Sequence, residues 1–124
     1  GDDLTIPPEL CAGEVATLSF TGLNLRGPIP TSCVRKNLFL SNNLLEGPLP
    51  STIFQNTVVV LRNNRLTGTI PEGPSDPDDA PQWVDLSLND LEGVVPSALW
   101  RWSGNGILGI NLAFNPRLSG AMPT

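Results

Sequence analysis

The stretch LFLSNNLLEGPLPSTIF, from Leu38 to Phe54, mixes Leu, Asn, Gly and Pro in an order that suits neither a helix nor an ordinary strand. Gly and Pro interrupt it too often for a helix to propagate. Leu38 and Leu40 alternate with outward positions, as in a short strand buried on one side. Its relatives lie in the same chain. Aligned on their Gly and Pro, residues 15–30 read VATLSFTGLNLRGPIP, 35–50 RKNLFLSNNLLEGPLP, 56–71 NTVVVLRNNRLTGTIP and 81–96 PQWVDLSLNDLEGVVP. A fifth copy, ILGINLAFNPRLSGAMP at 107–123, fits with one residue inserted after Asn115, and IPPEL at 6–10 reads as the tail of a repeat whose front is missing. Self-similarity of this length points to a stacked-repeat architecture, in which no unit buries its apolar face alone.

The blocks resemble the plant-type leucine-rich repeat, LxxLxLxxNxLxGxIP followed by a short convex segment. Starts at 15, 35, 56, 81 and 107 give repeats of 20, 21, 25 and 26 residues, inside the 20–29 range of that class. The resemblance implies an α/β repeat solenoid: a right-handed leucine-rich repeat with short parallel strands on the concave face and loops or 3-10 turns on the convex side. Residues 1–14 are expected to form a partial repeat or amino-terminal cap segment and 15–124 five repeats, as part of a longer chain.

Each position of the coil has a physical task. Leu18 and Phe20, Leu38 and Leu40, Val59 and Leu61, Val84 and Leu86, and Ile110 and Leu112 point inward from the strands. Where the chain turns away, backbone groups lose their sheet partners, and an Asn amide can serve donors and acceptors together. Asn43, Asn64, Asn89 and Asn115 hold that place; the first repeat has Leu23 there, either because Asn24 is displaced by one residue or because an end coil needs less of the ladder. Leu25, Leu45, Leu66, Leu91 and Leu118 fill a second core layer. Gly27, Gly47, Gly68, Gly93 and Gly120 allow a turn that a side chain would obstruct.

Composition narrows the function. The chain has 124 residues and a net charge of −5 with seven Lys and Arg, so nothing neutralises a nucleic-acid backbone and no nucleic acid is expected as partner. No apolar run is long enough to span a bilayer, and no signal peptide is recognisable in GDDLTIPPEL. His and Tyr are both absent, which removes the usual general base and Ser–His pairing. GNG at 104–106 reads as a turn rather than a phosphate loop. The expectation is therefore no enzyme and no cofactor.

Three departures from the pattern carry information. Arg35, Asn56 and Pro81 stand at the first, usually apolar, repeat position, and the shortened convex segments before Arg35 and Asn56 are expected to run extended. EGPSDPDDAP, after Pro71, is acidic and rich in Pro and should bulge from the convex side or edge. Asp76, Asp78 and Asp79 offer oxygens to a hard cation, but their spacing matches no calcium loop and prolines restrict wrapping, so a solvated loop without metal is expected. Cys11 and Cys33, the two cysteines, occupy nearly matching convex positions one coil apart, where Ile53 and Leu99 are buried in other coils. They form either a bridge between adjacent coils or two buried thiols. The family resemblance favours the bridge, since plant-type repeats often carry a Cys pair at the amino-terminal cap and are mostly extracellular or on the cell surface, in an oxidising, secretory compartment.

In the resembling family, partners lie on the concave sheet or its edge. The outward strand residues Phe39, Val58, Val60 and Trp83 are expected to form one apolar patch bordered by Arg62 and Asp85. Aromatic and Arg anchors in a polar rim are typical of interfaces, although Val, Phe and Trp also suit strands for their own sake. Trp100 and Trp102 read as convex core and cover. Two functions follow: a non-catalytic extracellular recognition module for a protein, peptide or glycan, or a structural subunit of an extracellular filament or cell-wall-like matrix that self-associates end to end. The second rests on AMPT ending the sequence without a recognisable cap. No NxS or NxT sequon is present.

Overall fold

The structure is a computed structural model that describes residues 4–103 and 109–119. In chain order its elements are β1 (Leu4–Thr5), α1 (Pro8–Ala12), β2 (Thr17–Ser19), β3 (Leu25–Gly27), β4 (Asn37–Phe39), β5 (Leu44–Pro48), β6 (Val58–Val60), β7 (Arg65–Thr67), β8 (Trp83–Asp85), β9 (Glu92–Val94), α2 (Ser97–Ser103), β10 (Gly109–Asn111) and β11 (Arg117–Ser119). Short 3-10 turns at Ile53–Gln55 and Pro77–Asp79 complete the set. Among the described residues, β2, β4, β6, β8 and β10 pair in parallel as one five-stranded sheet in simple sequence order. Its middle residues, Leu18, Leu38, Val59, Val84 and Ile110, stand in register. The residues two further on continue the same buried stripe, and only Phe20, Ile110 and Leu112 in the outer coils are incompletely covered.

A second parallel ladder, unforeseen from the sequence, runs along the LxG segments: β1, β3, β5 and β7 pair in order, β9 pairs with β11, and a bridge from Thr69 to Glu92 joins the two groups. The coil is therefore hydrogen-bonded at two places. Short as they are, these strands satisfy backbone groups that a loop would leave to water. A further buried layer, Ile6, Ile29, Leu49, Ile70 and Val95, occupies the positions just before Pro7, Pro30, Pro50, Pro71 and Pro96. Gly27, Gly47, Gly68 and Gly93 all take φ between +77° and +84°, as the turn requires. Gly120, the GNG turn and the AMPT end lie outside the described residues.

On the convex side the 3-10 turns among the expected loops or turns are present at Ile53–Gln55 and Pro77–Asp79. After each of four tails the same turn forms: the N–H groups of Leu10, Cys33, Ile53 and Leu99 donate to the carbonyls of Pro7, Pro30, Pro50 and Pro96 at 3.0–3.2 Å. Proline supplies the fixed φ and keeps its carbonyl free to accept. The segment before Asn56 is consequently a 3-10 turn, not an extended run, and the one after Pro96 is the helix α2. This equivalence places the partly buried Leu10 at the convex position and the buried Ile6 at the tail position, so residues 6–10 follow the path of a repeat tail.

The Asn ladder joins neighbouring coils. Asn43 Oδ1 accepts from Leu25 N–H at 3.1 Å, and its Nδ2 donates to Phe20 O and Leu40 O. Asn64, Asn89 and Asn115 repeat this arrangement with Leu45, Leu66 and Leu91 as donors. Each Asn thus serves its own coil and the preceding one. In the first coil Leu23 stands at this place and is exposed, and the neighbouring Asn24 is exposed on a left-handed backbone.

Asn56 is not the misfit its repeat position suggests. It is buried, its Oδ1 accepts from Lys36 N–H at 3.1 Å, and its Nδ2 donates to Cys33 O and Ile53 O at 2.8 and 2.9 Å. It is a second clamp, on the convex side. The same offset, Asn to the carbonyl three residues back, marks Asn64 with Leu61. Lys36 is also buried, and its ammonium donates to the carbonyls of Gly13 and Val15, fastening the entry to β2.

Cys11 and Cys33 are bonded, with Cα atoms 4.5 Å apart across a separation of 22 residues. Closing a loop of that size restricts the unfolded chain by about 3 kcal/mol. The Cys11→Ala, Cys33→Ala pair is expected to lose about that much in urea unfolding, and reductant should have no further effect on it.

Candidate recognition face

The register of the five-stranded sheet decides which outward side chains meet. One row runs Thr17, Asn37, Val58, Trp83, Gly109 and the next Ser19, Phe39, Val60, Asp85, Asn111. Phe39, Val58, Val60 and Trp83 therefore occupy three successive strands, β4, β6 and β8, on one face. Phe39 and Trp83 remain 37% and 41% exposed, which matters because aromatic side chains of this size are normally covered. Val58 and Val60 are half-buried between them.

Gly109 is part of this surface in a way the sequence did not announce. A Cβ there would stand 2.9 Å from Trp83 Cζ3 and 3.2 Å from Cε3. The indole ring lies over the glycine and spreads across β8 and β10, so any side chain at 109 would push it off the sheet. A large apolar residue followed one coil later by Gly at the same register is the signal that could have revealed the pair.

Arg62 and Asp85 do border the patch, and a residue outside the predicted set joins them. Arg62 Nη1 donates to Ser87 Oγ at 2.9 Å, while Ser87 donates both its hydroxyl and its N–H to Asp85 Oδ1, at 2.6 and 3.0 Å. Ser87 is wholly buried beneath this chain of bonds. The exposed guanidinium is thereby tethered at one nitrogen with most of its donors unspent. A tethered cation beside an apolar strip can pair with an acidic or carbonyl-rich partner at a reduced ordering cost. Asn37 extends the polar border by donating to Thr17 Oγ1 at 3.2 Å.

No family model matches the chain. Receptor-like protein 14 of Arabidopsis thaliana is 50% identical over 36 residues, 28% of this chain and 4% of that protein. The plant peptide hormone receptor RGFR1, solved in complex with RGF2, superposes with a TM-score of 0.74 at 26% identity, covering 98% of this chain and 20% of the receptor chain. This solenoid is built as that receptor's is over the matched residues. The chain is a plant-type leucine-rich-repeat protein. The leucine-rich-repeat ectodomain of the Arabidopsis thaliana membrane receptor kinase GASSHO1/SCHENGEN3, solved with Casparian strip integrity factor 2, gives a TM-score of 0.72 at 29% identity over 96% of this chain. This leucine-rich-repeat chain spans 15% of that ectodomain chain, and between 4% and 20% of each of the three proteins. No helix among the described residues is long and apolar enough to cross a membrane.

Proposed function

We propose that this leucine-rich-repeat chain is a non-catalytic recognition module, extracellular or at the cell surface, that holds a peptide or protein partner along its concave sheet. The observation that carries the reading is the strip of Phe39, Val58, Val60 and Trp83 on three adjacent strands, left open beside the tethered Arg62. Its aromatic members have the character of interface anchors. The likeness to receptor ectodomains solved with RGF2 and with Casparian strip integrity factor 2 supports a peptide or protein as partner, and the disulfide supports an oxidising compartment.

Selection of a displayed random-peptide library on the immobilised protein is expected to enrich a sequence family that binds the concave face. The Phe39→Ala, Trp83→Ala double variant should bind the enriched peptides at least about tenfold more weakly, because truncating an aromatic anchor typically costs 2 kcal/mol or more. Its thermal midpoint should move little. Equal capture by the double variant would refute a concave site.

A further inference from the structure

The acidic, Pro-rich insertion after Pro71 builds a cavity of about 380 Å³ on the side of the solenoid away from the concave sheet. Gln55 and Phe54 come from the 3-10 turn of the second coil, Arg35 from the residue that opens that coil, and Glu72, Pro74 and Asp79 from the insertion. Volumes of this order are those of small-ligand sites. The outer wall is fixed rather than loose. Trp102 of α2 donates its indole N–H to Pro74 O at 2.8 Å, and its ring lies so close to Gly73 that a Cβ there would be 2.4 Å away. Asp76 secures the tip, accepting from Asp78 N–H through its carboxylate and from Asp79 N–H through its carbonyl.

Among the described residues, the side chains of Arg35, Gln55, Glu72 and Asp79 make no hydrogen bond or ion pair with the rest of the chain. One guanidinium, one amide and two carboxylates thus face a preformed cleft with their bonding capacity unspent. Two carboxylates in a chain of net charge −5 repel an anionic ligand, and Arg35, by offsetting one of them, weakens the pull on a cation. A neutral molecule that both donates and accepts uses every group present. Guanidinium and carboxylate are two-pronged and match a pair of neighbouring hydroxyls, while Pro74 offers an apolar surface for C–H groups. The geometry points to a carbohydrate-binding cleft that takes one residue of a neutral sugar, free or at a chain end. This cleft is separate from the concave strip and stands or falls independently of it.

The test is an amide-resolved NMR titration with the methyl glycosides of glucose, galactose, mannose and xylose, followed by tetrasaccharides of the same sugars. At least one is expected to give saturable shifts at Gln55, Glu72 and Gly73. A preference for the tetrasaccharide would mark a polysaccharide end as the ligand, and equal affinity a free sugar. Arg35→Gln and the Glu72→Gln, Asp79→Asn pair, all at exposed side chains, should each weaken binding about tenfold or more with the fold retained. The Phe39→Ala, Trp83→Ala variant should titrate as wild type. The proposal is overturned by the absence of saturable shifts with every sugar, by binding that survives the cleft variants, or by tighter saturation with putrescine or glutamate as control probes.

Discussion

Trp102→Ala is expected to lower stability by about 3–5 kcal/mol, the usual cost of emptying a large aromatic site in a core. For a chain of this size that is about 10–20 °C in thermal midpoint. The side chain is 1% exposed, packs edge-on against Phe54 with ring centroids 5.2 Å apart, and donates to Pro74 O. Removing it leaves three unrelated losses at once: a cavity under the insertion, a carbonyl without its donor, and a loop no longer held to the convex side. Amides from Glu72 to Ala80 should then exchange faster with solvent, and sugar titration at the cleft should fail with them. Differential scanning calorimetry with Trp83→Ala for comparison decides the matter. The exposed Trp83 should cost no more than about 1 kcal/mol, and similar midpoints for the two variants would contradict the structural role assigned to Trp102.

Asn64→Ala should be comparably damaging although it removes far fewer atoms. The amide accepts from Leu45 N–H and donates to Leu40 O and Leu61 O, each at 3.0 Å and all buried. An unsatisfied buried polar group costs about 1–3 kcal/mol, so three freed together amount to about 3–5 kcal/mol after local relaxation. Because Leu40 and Leu45 belong to the coil before Asn64, the substitution also weakens the contact between neighbours on which a solenoid depends. Urea unfolding should show a lower midpoint and a shallower slope, as the two sides of the break cease to melt together. Asn37→Ala, which loses one exposed bond to Thr17, should stay within about 0.5 kcal/mol. Equal behaviour of the two would show that the ladder is dispensable.

Most of the coil was legible in the sequence because its determinants are local. Leu38, Leu40, Asn43, Leu45 and Gly47 lie within ten residues of one another, and each is read from a spacing that the other repeats confirm. Asn56 was missed for a related reason: its task belongs to the convex turn, and judging it against an apolar repeat position hid the carbonyl bonds that the turn supplies. The concave patch was legible as a set of outward positions, yet the lie of the Trp83 ring over Gly109 and the Arg62, Ser87, Asp85 chain of bonds depend on side chains from different coils. Nor could a single repeat announce the second ladder, whose short strands exist only because neighbouring LxG segments stack in register.

The sequence by itself determined the repeating coil, the inward Leu and Val stripes, the Asn ladder and the absence of the usual catalytic groups, since these follow from residue type and spacing along one stretch of chain. The tertiary structure alone decided that Cys11 and Cys33 are bonded and that the acidic insertion is a fixed wall and not a free loop. Trp102 and Pro74 are 28 residues apart, and no periodicity links them. Their contact arises because α2 and the insertion belong to consecutive coils, and stacking places the two side by side only after both have closed.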